Sequence, residues 1–166
     1  MGHYPHSIFM LTLSLLLILA TNLSAQPAND DCIGAMTITE GITPFDNLTA
    51  TDSGIPTDPH LCQGSFLGTA TRDVWFSYTA PENGYIDVTT CPAGFDTDLV
   101  IYDGDCTNLE QLSCNGDACF GFASTISDQS VDPGVTYLIR VGGFNGATGS
   151  GNLEITLTPA NDPEDC

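Results

Sequence analysis

The chain has 166 residues, with 21 Asp and Glu against two Arg and no Lys, for a formal net charge of −19. Nucleic acid and anionic lipid are held through Lys and Arg, so a chain this acidic excludes both as partners. It is long enough to bury one ordinary core, and its charge makes it a magnet for cations.

Residues 8–20 (IFMLTLSLLLILA) form an apolar run too short to span a bilayer comfortably and right for the core of a signal peptide. Ala25 suits a cleavage site, although the leading MGHYPHS carries no Lys or Arg. The expected organisation is a signal at 1–25, one domain at 26–158, and an extended segment or inter-repeat linker at 159–166. No other apolar run could anchor the chain, so a secreted or cell-surface protein without membrane insertion is expected.

From residue 36 onward the hydrophobic period is two. Strands are predicted at 73–79, 85–90, 99–102, 135–141 and 152–158, with weaker candidates at 36–39, 43–49, 109–114 and 123–127. In the first, Val74, Phe76 and Tyr78 share a face and Trp75 points to the other. Residues 99–102 (LVIY) are apolar on both faces, as in a central strand. Pro81-Glu82-Asn83-Gly84 and Pro133-Gly134 are turns, because proline presets φ and glycine accepts positive φ. Short, closely spaced strands without a competing amphipathic helix predict an all-β, jelly-roll-like sandwich of about eight or nine antiparallel strands.

Seven cysteines in an exported chain read as a disulfide framework. Zinc is disfavoured, since there is no C-x2-C pair and only His60 follows the signal. Sequence alone does not fix the pairing. Proximity across a turn favours Cys106 with Cys114; Cys91 with Cys119 and Cys32 with Cys62 complete the expectation. Cys166 is then odd, a candidate intermolecular thiol. It closes PANDPEDC at 159–166, an echo of PANDDC at 27–32.

The run FDTDLVIYDG…LSCNGD…GVTYLIRVGGF, closing with GNLEITL, resembles the bacterial pre-peptidase C-terminal domain. It is most similar to cysteine-rich variants opening with Asn-Asp-Asp-Cys, here Asn29 to Cys32. Other matching positions are Asp73 to Phe76, Phe95 to Thr97, Tyr102 to Gly104, Cys114-Asn115 and Tyr137 to Gly143. The resemblance covers nearly the whole chain after the signal. It implies a disulfide-stapled jelly-roll sandwich, usually a non-catalytic appendage of secreted hydrolases and large surface proteins. Relatives include collagen-binding domains of bacterial collagenases, some of which bind calcium. The chain departs from the pattern at Gly116-Asp117, where an acidic pair is usual, and no enzyme is attached.

Hard cations take several oxygen ligands, and Asp96, Asp98, Asp103, Asp105, Asn115 and Asp117 lie close in sequence as a candidate calcium site. The competing reading is that these residues form turns through their own side chains. No enzyme is expected. Asp52-Ser53-Gly54 matches the triplet of aspartic proteases, but that chemistry needs two such carboxylates. No G-x-S-x-G elbow is present, and the loop residue His60 has no paired nucleophile. Trp75 is either a sugar platform or core, with core favoured. Asn47-Leu48-Thr49 is a candidate glycosylation acceptor. Arg140, mid-strand, and Arg72, beside Asp73, read as structural ion-pair residues.

Two functions follow. One is an extracellular structural or adhesive subunit that self-associates head to tail into a fibre or surface layer, through exposed sheet edges, the odd cysteine and the echoing ends. The other is a calcium-assisted module binding carbohydrate or a matrix protein.

Overall fold

A computed structural model describes residue 1 and residues 25–64 and 68–160. The expected signal core and the tail with Cys166 lie outside the described residues. Nine strands form two sheets: β1 (Met36–Ile38), β2 (Gly41–Asp46), β3 (Thr71–Thr79), β4 (Gly84–Thr89), β5 (Thr97–Asp105), β6 (Asn108–Asn115), β7 (Thr125–Val131), β8 (Thr136–Gly143) and β9 (Ser150–Pro159). The order is β1-β3-β8-β5-β6 in one sheet and β2-β9-β4-β7 in the other. Pairing is antiparallel except for β1, which lies parallel to β3. The expected all-β sandwich is what the chain forms, and each strand segment predicted from periodicity overlaps one of these nine.

The inner faces meet as the period-two pattern requires. Val74, Phe76 and Tyr78 from β3, Leu99 and Ile101 from β5, and Ile139 and Val141 from β8 pack against Ile86, Val88, Ile126, Leu153 and Ile155 of the facing sheet. Each such side chain contributes about 1.5–3 kcal/mol on burial. The central strand β5 is buried on both faces, which is why residues 99–102 are apolar throughout.

Connections sort to two ends. One end has the short links 80–83, 106–107 and 132–135; Gly134, at φ +77°, completes the last. The other collects 47–70, 90–96, 116–124 and 144–149. The longest, 47–70, folds back over the outer face of the five-stranded sheet. Gly142 permits that approach, since a Cβ there would meet the Ala70 backbone at 2.5 Å.

Disulfides staple the connecting segments, one of them holding this covering layer through Cys62. They join Cys32 to Cys106, Cys62 to Cys114, and Cys91 to Cys119. The expected Cys106–Cys114 and Cys32–Cys62 pairings are corrected. β5 runs to Asp105 and β6 starts at Asn108, so Cys106 sits at the hairpin tip, whereas Cys114 pairs with Val100 deep in the sheet. Six strand steps between Asn108 and Cys114 separate the two by roughly 20 Å. Cys32 is held at one end of β6 and Cys62 at the other, so they cannot meet either. The bridge between Cys91 and Cys119 ties the β4–β5 link to the β6–β7 link.

Candidate functional site

The outer face of the five-stranded sheet carries a row of cross-strand neighbours: Trp75 on β3, Arg140 on β8, Val100 on β5 and Cys114 on β6. Arg140 is 1% exposed and forms a buried ion pair, its Nε donating to Asp73 Oδ2 at 2.8 Å. Its remaining donors reach the carbonyls of Ile55 and Ala70, at 2.9 and 2.8 Å. Asp73 also accepts from Trp75 Nε1 and from the amide of Ser53, both at 2.9 Å. Trp75 stacks on Tyr102 at 5.6 Å, with the guanidinium 5.7 Å from its ring centre. One ion pair thus positions both the sheet surface and the loop above it. Trp75 is fully buried, so it is core and offers no sugar platform.

The head segment reinforces the layer. Asn29 exchanges bonds with the Trp75 backbone, donating from Nδ2 at 3.0 Å and accepting the Trp75 amide at 2.8 Å. The Asp30 carboxylate accepts from the amide and hydroxyl of Thr51. Gln63 spans the gap between the sheets by a reciprocal pair of bonds with the Ser127 backbone.

Between this layer and the sheet lies a cavity of about 450 Å³, bounded by residues 52 and 54–57 on one side and 68, 69 and 71 on the other. Arg140 forms part of its wall, with Asp52 and the hydroxyl-bearing Thr57, Thr69 and Thr71. Thr57 Oγ1 is buried without a partner, as is Ser53 Oγ nearby. The Asp52 carboxylate accepts the Arg72 amide at 2.7 Å and so holds the loop. His60 is exposed, in a short 3-10 turn, Pro59–Leu61.

The six candidate calcium ligands do not converge. Asp103 bonds the amide of Gly104, and Asp105 accepts from Thr107 and Asn108; both are turn formers at the hairpin tip. Strand rise puts Asp103 roughly 17 Å from Asp98 along β5, beyond a shared ion. Asn115 is committed to the Gln63 carbonyl and the Thr125 amide. Asp98 is fully buried and accepts from the amides of Gly68 and Ala70, at 3.2 and 3.0 Å. Burial pushes its carboxyl up to about 6; those amides oppose the shift, and Asp96 and Asp117 add to it. Asp96 is raised in turn, by burial and then by Asp117. Among the described residues no group of three or more His, Cys, Asp or Glu is arranged to hold a metal ion.

Asn47 also needs correction. It is fully buried, donating Nδ2 to the carbonyls of Arg72 and Ala147 and accepting the Gly149 amide. A glycan on that nitrogen would displace both bonds, so the acceptor motif is structural in the folded domain.

Sequence reasoning passed over Phe120 and Phe122, which stand 101% and 63% exposed in the 116–124 link. The signal was present as Cys119-Phe120-Gly121-Phe122, two aromatics outside any strand and beside a cysteine. Arg140 was recognised as an ion-pair residue, but its partner Asp73 was not named, because β3 and β8 meet only in three dimensions.

A family model described as galactose binding domain-like, from a T9SS-associated set, matches residues 28–155. The chain belongs to this galactose binding domain-like family. Its members' defining stretch therefore runs from the head segment, just before Asn29, to Ile155 on β9. Among solved structures, the galactose binding domain-like chain matches the 1.0 Å crystal structure of the pre-peptidase C-terminal domain of a collagenase from Bacillus anthracis. Identity is 14%, the TM-score is 0.45, and the match covers 74% of this chain and 94% of that one. No curated protein matches. Three disulfides place the domain in an oxidising, extracellular setting. Among the described residues no helix is long and apolar enough to cross a membrane.

Proposed function

We propose that this is a secreted, non-catalytic carbohydrate-binding module whose ligand occupies the cavity between the 52–57 and 68–71 segments. What carries the reading is the make-up of that cavity. Its volume falls in the range of roughly 300–1,000 Å³ usual for small-molecule sites. Its wall carries the exposed Asp52 carboxylate beside the buried Arg140 guanidinium and the buried Thr57 hydroxyl, which lacks a partner. A sugar presents hydroxyls that both donate and accept, which is the chemistry such a wall complements. Family membership supports the same class of ligand, although fold alone does not decide function. The reading makes no use of calcium, because Asp103 and Asp105 lie far along β5 from Asp98 and Asn115 is engaged by Gln63 and Thr125.

The test is a glycan array with the full chain, followed by calorimetry on any glycan retained. Thr57→Val removes the unpartnered hydroxyl at nearly constant shape and should weaken binding severalfold, while a chelator should leave it unchanged. Failure to retain any glycan, or retention indifferent to Thr57→Val and to a bulky Thr69→Trp, would count against the cavity.

The self-assembling subunit is a second reading, favoured by one observation. The head residues Asn29, Asp30 and Cys32 lock the outer layer, and their sequence recurs at 159–166. Size-exclusion of native material with and without reductant tests it. A monomer in both conditions removes the reading.

A further inference from the structure

We propose that the loop at residues 119–122 is a docking knob that inserts Phe120, with Phe122 beside it, into an apolar pocket on a protein partner whose rim carries Lys or Arg. The loop is held stiffly. Cys119 is bridged to Cys91, its amide and that of Ala118 donate to the Ala123 carbonyl, and the Phe122 amide returns to the Cys119 carbonyl. The Thr97 amide donates to the Phe122 carbonyl, fastening the loop to the start of β5. Gly121 sits at φ +92° and Phe122 at +64°, a left-handed conformation uncommon for an aromatic residue. The surrounding bonds maintain that backbone while both rings face solvent. Rigid aromatic anchors lose little conformational freedom on binding, which is why they dominate protein interfaces.

Exposure separates a protein pocket from a sugar platform. A ring that stacks on sugar lies against its own protein and shows one face. Phe120, at 101% exposure, stands clear of the domain on all sides. Only a surrounding cavity buries such a ring fully. Charge then selects the partner. Asp117 lies two residues before Cys119, and Asp96 adjoins the Thr97 that binds the loop. Burial and mutual repulsion hold the Asp96 carboxyl above its usual range, so an added cation nearby is favoured. Of the two arginines, Arg140 is buried with Asp73, leaving Arg72 in a chain of net charge −19. A second copy of the chain and an anionic membrane are both disfavoured by this field. The inference is independent of the carbohydrate reading and uses a different surface.

The probe is a displayed peptide library that combines Leu or Ile with Lys and Arg, run against a matched library with Glu in place of each basic residue. The full chain is expected to enrich basic members only, with binding that weakens severalfold as salt is raised. Phe120→Ser should cost about tenfold or more in affinity. Phe122→Asn, which tolerates the left-handed backbone, should cost less, and both variants should keep the parent's thermal unfolding. Enrichment of neither library, or binding unchanged in Phe120→Ser, overturns the proposal. So does a Phe120-dependent association with phosphatidylcholine or phosphatidylserine vesicles, or with arrayed glycans, in place of the peptides.

Discussion

The two faces of β3, β8 and β5 are built from the same strands by different physics. The inner face is mainly apolar, with Tyr78 and Thr97 among its aliphatic side chains, and meets a second sheet. The outer face carries Asp73, Trp75, Asp98, Tyr102 and Arg140, all buried, under a loop held by a disulfide and side-chain bonds. Ile139 and Arg140 are neighbours in sequence and nearly equal in burial, yet one is held by hydrophobic transfer and the other by a charge partner. The inner face stays buried through non-directional contact among many side chains. The outer face depends on a few directional bonds, each of which leaves an unsatisfied group if broken.

The largest expected effect breaks that comparison at its sharpest point. Arg140→Ala leaves Asp73 charged and buried and should cost about 3–5 kcal/mol in urea unfolding. Ile139→Val, one residue away on the inner face, should cost only about 0.5–1.5 kcal/mol. Replacing the pair together, as Asp73→Leu with Arg140→Met, should cost much less than Arg140→Ala alone. Equal losses for the single and paired changes would show that packing, rather than charge, holds the outer face.

Removing one staple sharpens the contrast. Cys62→Ser with Cys114→Ser should cost about 2–4 kcal/mol. Hydrogen exchange should quicken in residues 52–63, while β4, β8 and β9 keep their protection. Uniform loss of protection would mean that the two faces form one cooperative unit.

A pH series reads Asp98, at the edge of the outer layer. Its carboxyl is pushed up to about 6 in the folded domain, against 3.8 for the free group. Between those values the folded state binds more protons, so the contribution of Asp98 is largest below about pH 4 and is lost as pH rises through 6. A shift of about two units corresponds to about 3 kcal/mol at most. Stability should therefore rise on acidifying from pH 7 to pH 5, and Asp98→Asn should flatten that slope even if it lowers stability overall. An unchanged slope in the variant would assign the effect to other carboxylates. The smallest effect belongs to Phe120→Ser, expected within about 0.5 kcal/mol of the parent because the ring makes no fold contact.

The inner face was legible because burial against a facing sheet imposes alternation, and Leu153-Glu154-Ile155-Thr156-Leu157 shows that alternation openly. The buried state of Trp75 and the pairing role of Arg140 were also readable, since a single Trp and a lone mid-strand cation have few other uses. The candidate cavity was not legible. Its walls come from residues 52–57, 68–71 and 140, which share no period and meet only because loop 47–70 folds back. Closeness in sequence misled for Cys106 and Cys114, because a strand carries neighbours apart by about 3.3 Å per residue; the same rise separates Asp103 from Asp98, while Asp96 and Asp117 stay near enough to Asp98 to raise its carboxyl. Asn47 misled for the opposite reason: its motif is local, but its burial depends on Ala147 and Gly149, about a hundred residues away.

The sequence by itself determined an acidic, exported, disulfide-bearing β-sandwich, because charge, cysteine use and two-residue periodicity are set by local chemistry. Only the tertiary structure decided which cysteines join, which carboxylates keep company, and which aromatics reach solvent. Each of those depends on how far β5 and β6 extend before turning, and on a long loop whose place is fixed by a single buried ion pair and one staple.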